Sequence, residues 1–507
     1  MIKSRIECYH LPVASIGRLS TEPIGKLEPV LVPEGDAVPY TVTDQFDQSL
    51  RRSGRLLLQT DTAFELIDIN SRIISSPTKH EAGFIADFPD GPLKQALAYL
   101  SPLRRLLPVG SGELQQAVLS LQDDQEKTHC RAYLIYLTTK KGRSAALVML
   151  QGIRGYDTSL SLLRERVHEL GTSPFSIEVL YEQLFPEQPA LDTKPANLFT
   201  KDTTAFDAVN KIIAAYIPLV RANEQGIIVD HDTEFLHDYR VQLRKIRSVL
   251  SLFKGIHDDA QAVDVKARFS ELMAPTGKLR DLDVYLLEKH TSYELVPKSL
   301  HDGLDTLHHM FAEQRTAEHI KLSRYLSGKK YRQEIANVAR LFAQPKGLKR
   351  GPNADLSAYD YACELIWSRY CNVCKIAAKI DQDTPDDEIH NLRIQCKKLR
   401  YLMEFFSTVF PAVEVKKLLK PLKGLQDNLG LFNDYSVQQE YLQDVLLKLS
   451  ENPDSSHLKV AQSIGALIAV HHQRQRQERA KVERSFMQFN SPDTQQAFSE
   501  TFLEKKA

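Results

Sequence analysis

The chain has 507 residues, of which 42% are hydrophobic and 26% charged, enough apolar side chain for more than one packed core. Its 65 basic residues balance 65 acidic ones, which excludes a bulk polycation that coats nucleic acid or membrane; any anion site must come from local segregation of charge. The opening MIKSRIECYHLPVASIG holds no apolar core long enough for a signal peptide, and no run approaches the roughly 20 apolar residues of a membrane span, so a soluble cytoplasmic protein is expected.

Up to about residue 185 the texture is that of strands and turns. GRLLLQTDTAFELIDI (54 to 69) reads as a hairpin turning at Thr60-Asp61-Thr62, and HCRAYLIYLTTKKGRSAALVMLQGI (129 to 153) as another turning at Lys140-Lys141-Gly142-Arg143. FPEQPALDTKPANLFTK (185 to 201) carries three prolines and little periodicity, the composition of a linker. From about 203 the spacing becomes helical, with Gly and Pro falling mostly between segments. Amphipathic stretches such as LHDGLDTLHHMFAEQRTAEHIKLSRYL, counted from Leu300, predict an all-α region of eight or more helices. Cys371 and Cys374 form a lone CxxC inside one such helix, IWSRYCNVCKIAAKI. Without a second pair they read as small reduced core residues rather than a metal or redox site.

The helical region repeats itself. HDYRVQLRKIRSVLSLF (237 to 253) aligns without a gap to HNLRIQCKKLRYLMEFF (390 to 406), pairing His237 with His390, Arg240 with Arg393, Arg244 with Lys397, Lys245 with Lys398, Arg247 with Arg400 and Phe253 with Phe406. The same offset pairs Leu272 with Leu425, Gly277 with Gly430, Asp281 with Asp434 and Val284 with Val437, so two copies of one helical unit are expected about a pseudo-two-fold axis.

Wound at about 100° per residue, His237, Arg240, Arg244 and Arg247 fall within an arc of about 80°, opposite Tyr239, Leu243, Ile246, Val249, Leu250 and Phe253. The second copy does the same, with Leu392, Cys396, Leu399, Leu402, Met403 and Phe406 as its apolar side. A solvated helix face mixes signs, because like charges three or four residues apart cost a few tenths of a kcal/mol. Two faces of nearly pure cation call for a polyanion, or for acids from neighbouring helices, with Asp281, Asp283 and Asp434 as the candidates. VEVKKLLKPLKGLQ (413 to 426) adds Lys416, Lys420 and Lys423 on one face. HHQRQRQERAKVERSF (471 to 486) includes Glu478 and Glu483 and reads as an ordinary solvated helix, and Lys329, Lys330 and Arg332 as ordinary surface. Arg forks and Lys point charges suit phosphate oxygens. No aromatics interleave with them as base-stacking platforms, which favours a phosphate chain over DNA or RNA.

The paired stretches HDYRVQLRKIRSVLSLF…GKLRDLDV and HNLRIQCKKLRYLMEFF…GLFNDYSV resemble the two signature halves of a CHAD domain, the conserved histidine α-helical domain. That resemblance implies two four-helix bundles around a basic pore or groove that binds inorganic polyphosphate. It places His237, Arg240, Arg244, Lys245, Arg247, His390, Arg393, Lys397, Lys398 and Arg400 in that surface, to which helical spacing adds Lys416, Lys420 and Lys423. The second signature departs from the first, with Asn433 in the place of Arg280 and Ser436 in that of Asp283; Asp281 and Asp434 are expected to orient the cations. TVTDQFDQSLRRSGRLLLQ and GIRGYDTSLSLLRERVHELG resemble parts of a CYTH triphosphate-tunnel domain, which often precedes CHAD. The family's opening ExExK, however, meets Arg5, Glu7 and Tyr9, and its paired arginines fall on Leu58 and Thr60. Metal-assisted triphosphate hydrolysis needs those carboxylates and cations, so a degenerate, non-catalytic tunnel is expected.

The expected architecture is thus multidomain α+β: a β-rich CYTH-like domain over 1–185, a linker over 186–202, an all-α CHAD domain over 203–490 with halves at about 203–345 and 355–490, and a C-terminal tail over 491–507. The expected function is non-catalytic polyphosphate binding, with no cofactor, no metal, no membrane and no nucleic-acid partner, in the cytoplasm, with polyphosphate granules as one place of association. The rival readings are a metal-dependent triphosphatase or polyphosphatase in the N-terminal domain, and a nucleic-acid binder. His237 and His390 are weak candidates for acid/base or metal work, since each is followed by Arg at i+3 and not by a second ligand.

Overall fold

A computed structural model describes residues 7–68, 73–77, 83–191, 199–381, 383–451 and 455–503. The chain divides into two compact units, Met1–Thr193 and Lys194–Ala507.

The first unit is a curled antiparallel β half-barrel, consistent with a CYTH-like tunnel domain. Its strands are β1 (Glu7–Leu11), β2 (Glu28–Pro33), β3 (Val38–Gln45), β4 (Leu56–Gln59), β5 (Ala63–Ile67), β6 (Ile73–Pro77), β7 (Leu106–Gln122), β8 (Thr128–Thr139), β9 (Ser144–Gly152) and β10 (Ser173–Pro174). They run in the order β10-β1-β9-β8-β7-β3-β4-β5-β6, and the long β7 pairs with β3 along its first part and with β2 along its second. Both hairpins read from the sequence are present. Thr60 Oγ1 closes the β4–β5 turn on Ala63, and Gly142, at φ 77°, closes β8–β9. Gly112 lets β7 approach β8, since a Cβ there would lie 1.8 Å from the Thr138 carbonyl oxygen.

Alternation along the strands gives the sheet two apolar faces. On one, Tyr40, Val42, Leu58, Leu114, Leu137 and Leu147 are covered by helix α5 (Ile177–Leu184). On the other, Leu119, Leu121, Val148 and Leu150 are covered by α1 (Ile16–Thr21) and α4 (Asp157–Glu169), while α2 (Ser49–Arg52) and α3 (Pro92–Leu97) cover Leu57, Phe64 and Leu66. Glu7 and Tyr9 stand opposite Leu150 and Val148 on the α4 face, whereas Leu58 lies on the α5 face. The positions at which a tunnel would gather its charges therefore do not converge. Glu7 is already held by a two-pronged bond from Arg164, at 2.8 and 2.9 Å, and accepts from the Tyr9 hydroxyl. Its carboxyl is held below the usual range by that guanidinium. Arg5 lies outside the described residues.

The expected linker is tied down at both ends. Gln188 and Leu191 bond to Arg51 and Gln48, and Phe199 packs on Phe406; residues 192–198 lie outside the described residues.

The second unit is helical. Its first half is built on α6 (Ala205–Ala222), the short α7 (Glu224–Ile228), α8 (Thr233–Leu252), α9 (Asp259–Met273) continuing past a turn into α10 (Gly277–Leu287), α11 (Lys289–Leu295), α12 (His301–Ser327) and α13 (Lys329–Ala343). Its second half has α14 (Ala358–Ala377), α15 (Asp386–Phe405), α16 (Ala412–Ser450), α17 (Ser455–Arg479), α18 (Val482–Phe489) and α19 (Pro492–Phe502). Ala205, Thr233, Asp259 and Lys329 open helices whose repeat counterparts Ala358, Asp386, Ala412 and Val482 also open helices, so the sequence offset is a structural one. Pro275 sits where α9 gives way to α10; its counterpart Asn428 keeps its N–H, and α16 runs on unbroken. The stretch read as a tail, 491–507, instead contains α19, whose Phe498 and Phe502 are buried against Tyr370 and Phe410. A polar-looking sequence hid an amphipathic helix there.

Reciprocal contacts mark the pseudo-two-fold axis. The Ala205 amide donates to Leu356 O and the Ala358 amide to Thr203 O, each at 2.8 Å, and each bond is the repeat image of the other. Phe253 meets its own counterpart Phe406 with ring centroids 5.2 Å apart. Tyr285 stacks on Tyr441 at 4.3 Å, and their counterparts Gln438 and Glu288 hydrogen-bond. The halves interlock: Leu282, Leu304, Leu307 and Phe311 share one core with Leu442, Val460, Ile464 and Leu467. Among the described residues no helix is long and apolar enough to cross a membrane.

Helix α8 is fixed at its start by Asp232, whose Oδ1 accepts from the Glu234 and Phe235 amides at 3.0 and 3.2 Å. Asp232→Ala should cost about 1 kcal/mol, read as a lowered urea midpoint of the full chain with an unchanged slope.

Candidate anion-binding site

Helices α8 and α15 present their apolar sides to their own halves, where Tyr239, Leu243, Ile246 and Val249, and likewise Leu392, Cys396, Leu399 and Leu402, are fully buried. This leaves the cationic sides to meet across the pseudo-axis. Arg244 lies close enough to act electrostatically on both Arg393 and Lys397, and Arg400 acts on Lys397 from the same helix. Arg244 and Lys397 are repeat counterparts, so the cluster straddles the axis. Arg240 adjoins Arg244, Arg280 and Asp281, and one of its nitrogens donates to Thr276 Oγ1 at 2.6 Å.

Little acid balances this charge. Asp434 is 3.6 Å from Arg393 but exposed; Asp281 lies beside Arg240 and Arg280, with burial raising its carboxyl. Glu404 is 3.5 Å from Arg400. Asp283 is engaged mainly outside the cluster: it is buried and bonded at 2.8 Å to Arg315, which also holds Asp230, and it reaches the cluster only through Arg280. The consequence is visible in the guanidinium donors. Among the described residues, the Nε atoms of Arg244, Arg247 and Arg393 are buried without a hydrogen-bond acceptor, and Arg400 Nε and Arg280 Nη1 have only the carboxylates of Glu404 and Glu234, at 3.5 and 3.9 Å. A buried donor left unsatisfied costs about 1–3 kcal/mol, and more when it is charged. Burial, with Arg393 and Arg244 next in effect, pushes the Lys397 ammonium down to about 8. Burial and Arg244 likewise lower Arg240, and burial lowers Arg393. An anion placed here would satisfy the donors and relieve the mutual repulsion together.

The histidines flank the cluster. His390 is exposed and its Nδ1 lies 2.6 Å from Asn433 Oδ1; His237 is half-buried at the equivalent place, where Arg280 stands in the position of Asn433. Among the described residues no group of His, Cys, Asp or Glu is arranged to hold a metal. Lys416, Lys420 and Lys423 are exposed on α16, without ion-pair partners among the described residues. Winding places them within about 40° of Asp434 on that helix, so they continue its cluster-facing stripe. Lys245 and Lys398 turn elsewhere. Lys245 sits 5.2 Å above the Tyr216 ring, and the cations acting on Lys398 are Arg369, Lys266 and Lys254. The run at 471–486 is paired in part, through Arg479 with Asp386 and Lys481 with Glu478. Of the CxxC pair, Cys371 is exposed and not a core residue, whereas Cys374 donates toward Asn490 Oδ1 and burial pushes its thiol up to about 11, which disfavours the thiolate.

Residues 211–443 match the family model of the CHAD domain. The chain carries a CHAD domain. Solved structures similar to it include the crystal structure of the CHAD domain from the plant Ricinus communis, at 22% identity and TM-score 0.49, covering 60% of this chain and 98% of that one. A second is PptA from Streptomyces chartreusis, at 15% identity and TM-score 0.42, covering 59% of this chain and 100% of that one. No curated protein matches the chain.

The CHAD match spans both signature helices and both Asp positions. Within the CHAD domain, Arg280 is the cluster member that sequence reasoning left out of the site, although its place in GKLRDLDV, one residue before Asp281, was the available signal. Thr276 and Asn433 were missed because neither carries charge; only the fold shows them orienting Arg240 and His390.

Proposed function

We propose that this protein binds inorganic polyphosphate in the cationic cluster where α8 and α15 meet, and that it does so without catalysis. The observation that carries this reading is that Arg244 and Arg393, which act on one another and on Lys397 across the pseudo-axis, each bury an Nε with no acceptor among the described residues. Their deficit is in acceptors and negative charge, which phosphate oxygens supply together. A phosphate chain has no direction, so either orientation presents the same oxygens to a site whose two sides are repeat images. A nucleic-acid strand has polarity and bases, and the ring beside the cluster, Tyr401, already lies 5.5 Å from the Arg400 guanidinium.

In the N-terminal unit, Glu7 is occupied by Arg164, and Tyr9 and Leu58 stand on opposite sheet faces where hydrolysis would need converging charges. These features support the non-catalytic reading. The test is calorimetric titration of the full chain with polyphosphate of defined lengths, with RNA at equal phosphate concentration as competitor. Displacement of long-chain polyphosphate by RNA overturns the ligand assignment. Metal-dependent release of phosphate from triphosphate overturns the non-catalytic one.

A further inference from the structure

Lys398 departs from the central cluster, and its surroundings differ sharply from those of its counterpart. On the first-half side, Lys245 lies over the Tyr216 ring, which Glu404 also adjoins, so that cation is accommodated by an aromatic face with an acid nearby. On the second-half side the position of Tyr216 is taken by Arg369, and the positions corresponding to Ser407 and Leu419 are Lys254 and Lys266. Arg369, Lys266 and Lys254 all lie near enough to Lys398 to act on it electrostatically, where the repeat image has Tyr216, Leu419 and Ser407 at the corresponding positions.

The elements that bring them together are fixed by hydrogen bonds. The Lys254 carbonyl accepts from the Tyr361 hydroxyl at 2.7 Å and from Asn353 Nδ2 at 3.0 Å, seating the end of α8 against α14. Arg369, two turns further along α14, donates from Nη1 to Gln395 Oε1 at 2.5 Å, one turn before Lys398 on α15. Its Nε is buried without an acceptor among the described residues. Among the described residues none of the four has a carboxylate within ion-pair distance, and Lys254 and Lys266 are exposed. Lys398 is lowered by burial first and then by Arg369, Lys266 and Lys254, with no acid acting in the opposite sense.

We infer that Lys254, Lys266, Arg369 and Lys398 form a second, asymmetric anion-binding site that takes the phosphate groups of an oligophosphate. The pseudo-symmetry isolates the cluster, which occurs in one half alone, and the lack of any carboxylate within ion-pair distance among the described residues separates it from a one-sided structural ion pair such as Asp283–Arg315. Two exposed lysines supply mobile point charges for phosphate, and the half-buried Arg369 supplies the oriented donor. The shared chemistry has two sources: a separate short oligophosphate, or the end of a long chain leaving the central cluster.

The experiment is titration of the full chain with inorganic tripolyphosphate and with long-chain polyphosphate, comparing the parent with Lys254→Gln/Lys266→Gln. Both residues are exposed, so the variant should keep the parent's helical CD and Tm. Arg369→Lys is the second variant; it keeps the charge and removes the oriented fork. Tripolyphosphate weakened tenfold or more at one of two sites, the other unaltered, supports an independent oligophosphate site. A loss seen with long chains alone supports the same site filled by a chain overhang. Unchanged affinity and stoichiometry for both ligands overturns the inference. The central reading is tested separately through Arg244 and Lys397, which this variant leaves intact.

Discussion

Arg244→Gln combined with Lys397→Gln is expected to weaken polyphosphate binding by about 10²- to 10⁴-fold, because each substitution removes a charged hydrogen-bond donor worth about 1.5–3 kcal/mol. The same double variant should unfold at a temperature equal to or above the parent's. These two side chains are repeat counterparts at the pseudo-axis, each acts unfavourably on its neighbours, and neither has an ion-pair partner among the described residues. Removing them relieves repulsion in the unliganded protein. Cations that served the fold by pairing with acids would behave in the opposite way, and a fall in Tm of several degrees with binding retained would sink the assignment. Titration and a thermal melt on one preparation decide between them.

Polyphosphate affinity is expected to fall about tenfold per pH unit above pH 8 in the parent, with proton uptake on binding. Lys397 in the free protein loses its proton through about pH 8, because burial and then Arg393 and Arg244 disfavour its charge. A bound phosphate chain restores the charged form and raises the pKa, so above pH 8 the complex holds a proton that the free protein lacks. Lys397→Arg keeps the charge at every accessible pH. It should flatten the profile and bind more tightly than the parent at pH 9. Equal slopes in parent and variant would show that another group governs the dependence. The sign for stability is the reverse: the unfolded chain holds this proton more firmly, so the unliganded fold gains stability as pH rises from about 8 toward the ordinary lysine value.

Much of this was legible in the sequence for a simple reason. A helix of period 3.6 shows its faces directly, so the cation stripe of α8 and α15 and their apolar backs could be read from spacing. The gapless offset carried over as well, since a repeat without insertions must fold into equivalent helices, as the starts at Thr233 and Asp386 show. The hairpins at 60–62 and 140–143 were equally local. Less legible were features that need a partner distant in sequence. Lys398 reads as the neighbour of Lys397 and belongs in space with Lys254, Lys266 and Arg369. Asp283 reads as a counter-ion for the cluster and is consumed by Arg315 on α12. Glu7 falls within the family's opening motif and is held by Arg164 on α4.

The sequence by itself determined that two amphipathic helices would each carry a row of cations with too little acid on the same face, because that is a property of residue order within a few turns. Only the tertiary structure decided that the rows meet. Reciprocal bonds at Thr203, Ala205, Leu356 and Ala358, and the Phe253–Phe406 contact, bring Arg244 beside Lys397 and Arg393. Two self-repelling faces can be held together only when packing elsewhere outweighs the repulsion, and the core shared between the halves supplies that packing. The electrostatic cost left in the middle is what a phosphate chain would remove.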